Sequence, residues 1–308
     1  MVRRRHSPLK PKPWFTALRA HFLTATVAPV LVGTAAAWYQ TGRFDALRFT
    51  LALVGAALVH LGANMFNDYF DARSETDALN ASGSAFSGGS RVIQDGLIPA
   101  RHILIAAIAC ITAGSLIGIW LVVSLRSLWL LGIGIAGVFC AFFYTGAPLR
   151  LGYRGFAEIL NGISFGPIIA LGAFAVQAPL WSWTALAASL PPGLLLGGVL
   201  VINEFPDHDA DKAVGKKTVV VLLGKPRALL VYDAALALPF LWVIAFAAAG
   251  VFPEWTLLAL LSAPLAVRAI RVAHEHHGDN RRLAAANRDT FYLHLSFSLL
   301  FAAGLFIG

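Results

Sequence analysis

Long apolar runs separated by short polar stretches fill this chain of 308 residues. Nine such runs lie at roughly 20–40, 47–66, 101–123, 127–144, 158–178, 182–205, 227–250, 254–273 and 290–308. Most approach the ~20 residues that an α-helix needs to cross about 30 Å of hydrocarbon. The runs are continuous and do not alternate with period two, which argues against a closed β-barrel. The pattern predicts an all-α polytopic membrane protein of about nine transmembrane helices. Residues 1–19 read as a basic tail and residues 20–308 as one transmembrane domain.

Composition agrees with that reading. The chain is 58% hydrophobic and 13% charged, with mean hydropathy +0.71, whereas soluble domains average about 25% charged residues. The basic residues also orient it. With the N-terminus in the cytoplasm, the connections on that side carry 21 of the 24 Lys and Arg, leaving Arg43, Arg48 and Arg126 opposite. This is a strong positive-inside asymmetry. The net charge of +8 therefore reflects topology and anionic lipid, not nucleic acid. Arg3-Arg4-Arg5 precedes a Pro-rich polar stretch, and the first apolar run is long enough to remain as an anchor. Cys110 and Cys140 fall inside predicted spans at no metal-ligand spacing, as small apolar residues do.

Acidic residues break the apolar pattern in two places. One stretch is Asn64-Met65-Phe66-Asn67-Asp68-Tyr69-Phe70-Asp71, running on to Glu75 and Asp77. The other is Asn203-Glu204-Phe205-Pro206-Asp207-His208-Asp209-Ala210-Asp211. Both open on Asn-x-Phe-x-Asp, and together they hold eight of the 16 acidic residues. Both close even-numbered spans, so both are expected at the cytoplasmic face. Their repetition suggests two pseudo-repeated four-helix halves, with a ninth helix added and a central cavity between the acid sets.

On helices, Asp68 and Asp71 at i, i+3 share a face, as do Asp207 and Asp211 at i, i+4. An oxygen-rich set without Cys suits Mg²⁺, which keeps waters and is completed by substrate phosphates. Asn64, Asn67 and Asn203 add neutral amides. Nearby Arg73, Arg91, Lys212, Lys216 and Lys217 suit a phosphate head, and the apolar spans behind suit a lipid tail. Helix-end solvation is the plain alternative for the acids, and an exposed loop acid is an equal reading for Glu75, Asp77 and Asp209. Tyr144 and Arg154 serve equally as interfacial anchors, and the positive-inside rule alone places lysines in these loops. His274-Glu275-His276-His277 reads as a solvated charged run.

These motifs resemble those of the UbiA superfamily of intramembrane aromatic prenyltransferases. Asn67-Asp68-x-x-Asp71 and Asp207-x-x-x-Asp211 match its two Asp-rich motifs. The further Asp at 77, six residues beyond Asp71, is similar to the branch that prenylates 1,4-dihydroxy-2-naphthoate in menaquinone synthesis. Arg91-Val92-Ile93-Gln94-Asp95-Gly96, Tyr144-Thr145-Gly146 and Gly215-Lys216-Lys217-Thr218 resemble segments of the same branch. Asn203-Glu204 departs from the Asn-Asn pair of some naphthoate enzymes.

The resemblance implies Mg²⁺-dependent transfer of a polyprenyl group from its diphosphate to an aromatic acceptor, with loss of CO₂ when the acceptor is dihydroxynaphthoate. It implies two Mg²⁺ ions held by Asp68, Asp71, Asp77, Asp207 and Asp211. Asn64, Asn67, Arg73, Arg91, Arg154, Asn203, Lys212 and Lys217 are implied at the substrate, and Tyr144 beside the allylic cation. The expected surroundings are the cytoplasmic membrane, with the site loops cytoplasmic and no protein partner evident. Another acceptor (4-hydroxybenzoate, a haem or chlorin precursor, or a lipid alcohol) stays open. A cation-coupled transporter, the alternative from another class, calls for acids nearer the bilayer midplane.

Overall fold

A computed structural model of the chain describes residues 11–73 and 89–308. These residues form helices, turns and loops, with no strand among them. A short helix α1 (Pro11–Leu18) precedes α2 (Thr24–Thr41), α3 (Ala46–Arg73), α4 (Ala100–Leu125), α5 (Leu128–Phe143) and α6 (Ala157–Gln177). There follow α7 (Trp183–Ala213), a short α8 (Val219–Leu223), α9 (Lys225–Ala248), α10 (Glu254–His276) and α11 (Asn280–Ile307). Each predicted apolar run coincides with one of the long helices. Seven of these, among the described residues, are long and apolar enough to cross a membrane. The other two fall short in different ways: α5 has 16 residues, and α2 carries Thr, Tyr, Gln and Pro29 along its 18. The chain is an integral membrane protein.

The helix ends depart from the hydropathy boundaries in an informative way. Helices α3 and α7 run on through the acidic motifs, so the acids stand on helix and not in loops. Helix α11 starts ten residues before its apolar run. Asp279 caps it by accepting from the amides of Arg281 at 3.0 Å and Arg282 at 3.2 Å. Its polar first turns bury Asn287, Asp289 and Thr290, each hydrogen-bonded to a side chain of another helix.

Helix α7 is the most enclosed span and α4 the most lipid-exposed. Helix α3 packs on α4, α2 on α6, and α11 on α2, α7 and α10. Several crossings require glycine, and two show how closely the backbones approach. A Cβ on Gly33 of α2 would sit 1.9 Å from the Ala170 carbonyl oxygen of α6. One on Gly193 of α7 would sit 2.4 Å from the Gly162 oxygen of α6. Without a hydrophobic drive between helices in lipid, such close backbone approach supplies the packing.

Helix α6 also contains a π-turn at Ser164–Ile168, around Pro167. A π-turn of this kind re-aims the side chains it carries. The C-terminal ends of α3, α5 and α7 and the N-terminal end of α6 gather at one end of the bundle. At the other end, Trp129, Trp181 and Trp183 stack edge to face at 4.9 and 5.1 Å between centroids. These are interfacial aromatics of the kind that mark a membrane boundary.

Candidate active site

One cavity of about 820 Å³ runs down the bundle from the acidic motifs. Helix α3 lines it from Leu51 to Asp71, about 30 Å at 1.5 Å per residue. On that helix His60, Asn64, Asn67 and Asp71 all face the cavity. Their spacing of 4, 3 and 4 residues is that of a single helical stripe. Asn203, Glu204, Asp207 and Asp211 line it from α7, and Tyr144 from the end of α5. Its deeper walls are aliphatic, including Leu51, Ile117, Leu121, Leu130 and Ile133.

Tyr153 and Lys216 connect the two acid sets. The Tyr153 hydroxyl donates to Asp71 Oδ1 at 2.6 Å. The Lys216 ammonium lies 5.8 Å from the centroid of the same ring and 3.3 Å from Asp211 Oδ1. The Lys217 amide donates to the Tyr153 carbonyl at 3.1 Å, fixing the loop register. Burial works against the Lys216 charge, but Asp211, with Asp71 and Glu204 behind it, outweighs that and holds its pKa above the ordinary lysine value.

Several buried oxygens at the mouth have no hydrogen-bond partner among the described residues: Oδ2 of Asp211, Oδ1 of Asn67 and both of Glu204, whose carboxyl instead faces that of Glu158. Glu158 contributes a similar Oε2, while its Oε1 accepts from the Val219 amide at 2.6 Å and caps α8. Orphaned oxygens at this density fit a hard divalent cation. No three His, Cys, Asp or Glu among the described residues form a ready-made cage. Mg²⁺ commonly uses few protein carboxylates and takes its remaining ligands from water and phosphate.

The expected residues therefore divide. Asn64, Asn67, Asp71, Tyr144, Asn203, Asp207 and Asp211 share the lining. Asp68 does not. It is buried and turned away, receiving Arg19 Nη2 at 3.3 Å, the Ser90 amide at 3.1 Å and the Ser90 hydroxyl. Three residues leave it about 60° around the helix from Asp71, enough to face different neighbours.

Arg73 donates to the Tyr69 hydroxyl at 3.0 Å, and Arg154 donates to the Pro148 carbonyl at 3.2 Å. Arg91 lies 3.9 Å from Asp95. Lys212 and Lys217 are exposed. These five cations stand off the lining, which instead carries Arg19 and Lys216. Lys216 follows Lys212, in the last turn of α7, and adjoins Lys217 in the loop beyond, but only its side chain turns inward. Asp77 lies outside the described residues.

Arg19, Tyr153, Glu204, His60 and Asn287 were not among the expected site residues. Glu204 stands inside the second acidic motif, and Tyr153 is the neighbour of the expected Arg154. Arg19 ends a basic tail, and Asn287 lies in what hydropathy reads as a connection. Asn287 Nδ2 donates to Asn203 Oδ1 at 2.6 Å and to the Ile202 carbonyl at 3.4 Å.

An anionic, oxygen-rich mouth over a bilayer-deep apolar cavity defines an intramembrane enzyme site for an amphiphile with a charged head. Residues 26–298 match the UbiA prenyltransferase family, and the chain belongs to that family. It is 33% identical over 296 residues to 1,4-dihydroxy-2-naphthoate octaprenyltransferase of Mycobacterium tuberculosis, covering 96% of this chain and 97% of that one. A protein of the same name from Bacillus subtilis is 29% identical over 289 residues, covering 94% and 90%. The fold is also that of a UbiA homolog from Archaeoglobus fulgidus bound to DMAPP and Mg²⁺. That likeness has a TM-score of 0.63 at 15% identity, over 94% of this chain and 99% of that one.

Proposed function

We propose that the protein transfers a polyprenyl group from polyprenyl diphosphate to 1,4-dihydroxy-2-naphthoate, with decarboxylation, giving demethylmenaquinone in its quinol form. The observation that carries this reading is the meeting of Asp71 with Asp207 and Asp211 at one cavity mouth, bridged by Tyr153 and Lys216. The curated naphthoate relatives support the acceptor, and 21 of 24 basic residues on one side support a mouth facing the cytoplasm at the cytoplasmic membrane.

Asp71, Asp207 and Asp211 would hold Mg²⁺, with Asn67 and Glu204 on the same lining and Asp77 as a further candidate, while Asp68, turned to Arg19, stands outside the set. When bound, the metal supplies positive charge at the diphosphate oxygens. Charge balance favours two ions. Among the described residues the lining carries Asp71, Glu204, Asp207 and Asp211 against Arg19 and Lys216. With Asp71, Asp207 and Asp211 ionised against these two cations it is already net negative and would repel a diphosphate without divalent cations.

Lys216 and Arg19 neutralise the departing pyrophosphate as the allylic C–O bond breaks and its electron pair leaves with oxygen. The ring of Tyr144 shields the allylic cation, and the apolar walls keep water from capturing it. A ring carbon of the acceptor forms the new C–C bond. The electron pair of the bond to the carboxylate then restores aromaticity as CO₂ leaves, so that carbon has no proton to lose. Arg73, Arg91, Arg154, Lys212 and Lys217 would act at the approach to the mouth.

Purified protein in detergent, offered naphthoate and 4-hydroxybenzoate acceptors with and without Mg²⁺, tests the reading. Metal-dependent product from naphthoate is expected. Product from 4-hydroxybenzoate alone overturns the acceptor, and activity indifferent to metal chelation overturns the mechanism.

A further inference from the structure

Below the acidic mouth the cavity wall is mainly apolar, and its polar members are Ser115, Asn161, Ser164 and one imidazole. His60, only 7% exposed, faces the cavity from the middle of α3. Its Nδ1 lies 2.7 Å from the Thr26 hydroxyl of α2. Phe165, carried by the π-turn of α6, meets the imidazole edge to face at 4.7 Å between centroids. Three helices thus fix one ring. With Nδ1 engaged, Nε2 is the polar atom left for whatever fills the cavity.

We propose that His60, oriented by Thr26 and Phe165, is the subsite that hydrogen-bonds a ring hydroxyl of the aromatic acceptor; this rests on the prenyltransferase reading above. Depth supports that occupant. His60 lies seven residues from Asn67 on one helical stripe, about 10 Å deeper. This matches a fused ring stacked beside the allylic carbon, with one hydroxyl toward the mouth and the other toward His60. An isoprenoid tail offers no hydrogen bond. If it alone lay against His60, Nε2 would stay buried and unsatisfied, a state that proteins avoid. Thr26 can donate to Nδ1, making Nε2–H a donor, or accept from Nδ1–H, making Nε2 an acceptor. A phenolic hydroxyl satisfies either tautomer.

The test compares His60→Leu, His60→Gln and Thr26→Val with wild type in detergent. Acceptors are 1,4-dihydroxy-2-naphthoate and its two monohydroxy analogues. Each variant is first shown to elute as a monodisperse species with the helical circular dichroism of wild type. His60→Leu is expected to raise the acceptor KM about tenfold, the scale of one buried hydrogen bond, with the diphosphate KM unchanged. His60→Gln is expected to recover part of that, and Thr26→Val to show a smaller rise. Wild type is expected to penalise loss of one particular hydroxyl, and His60→Leu to lose that discrimination. Unchanged acceptor KM in His60→Leu overturns the proposal, as does a rise confined to the diphosphate KM or to tail-length preference. Failure of wild type to prenylate naphthoate instead refutes the naphthoate reading on which this proposal rests.

Discussion

Three lysines close together at the end of α7 and in the loop after it, Lys212, Lys216 and Lys217, give the sharpest test of the site. Only Lys216 lies on the cavity lining, 3.3 Å from Asp211 Oδ1, while Lys212 and Lys217 are exposed. Replacing Lys216 with Met keeps most of the side-chain volume and removes the charge. A hydrogen bond to a charged group contributes about 1.5–3 kcal/mol, so kcat/KM for polyprenyl diphosphate should fall roughly 10- to 150-fold. Lys212→Ala and Lys217→Ala remove exposed charges worth at most about 1 kcal/mol, a factor of roughly five or less. Steady-state prenyl transfer, varying each substrate against saturating partner, gives the comparison. Equal losses in all three variants, or an unimpaired Lys216→Met, would refute the assignment.

Other residues yield separable outcomes. Tyr153→Phe removes the hydroxyl that donates to Asp71 at 2.6 Å; kcat/KM should fall about tenfold, and an unchanged value in steady-state assay sinks the bridging role. Chelation with EDTA should abolish turnover and added Mg²⁺ restore it, while Asp207→Ala and Asp211→Ala should each lose more than about a hundredfold; retained turnover in either variant contradicts the metal-binding role. Asp289 is fully buried and receives Arg268 at 2.6 Å through both oxygens and Arg288 at 3.2 Å. Removing both arginines strands a buried charge, at about 3–5 kcal/mol. Asp289→Ala frees two half-exposed arginines to water, so thermal unfolding in detergent should show the double variant as the less stable; the reverse order rejects this reasoning.

The spans were legible because lipid imposes long uninterrupted apolar runs, and the acids because they interrupt those runs. What hydropathy concealed was polar residues that pair with each other. The first turns of α11 look like a loop because Asn287 and Asp289 are polar, yet Asn203 and Arg268 make their burial tolerable. Direction was equally hidden. Lys216 and Lys217 are adjacent in sequence, and only the turn after α7 decides that Lys216 points inward. Asp68 and Asp71 share a helical face on paper. Arg19, held beside Asp68 by the turn after α1, draws that carboxylate away from the cavity. No local spacing rule encodes a contact made across 49 residues.

The two copies of Asn-x-Phe-x-Asp show how far a repeated pattern determines its surroundings. Phe66 and Phe205 are both buried, and Asn64 and Asn203 both line the cavity. The Asp positions diverge, with Asp68 turned to Arg19 and Asp207 on the lining. The two amides diverge more subtly. Asn64 Nδ2 donates to the Leu18 carbonyl at 3.4 Å, and a carbonyl can only accept, so Oδ1 of Asn64 is left for the cavity. Asn203 has the opposite assignment. Asn287 Nδ2 is oriented by the Ile202 carbonyl, again an acceptor only, and therefore donates to Asn203 Oδ1, leaving the Asn203 NH₂ for the cavity. One copy thus offers an acceptor, fit for a cation or a hydroxyl, and the other a donor, fit for a phosphate oxygen. Equivalent positions in the pattern are chemically opposite in the site, because a helix absent from the pattern sets each amide.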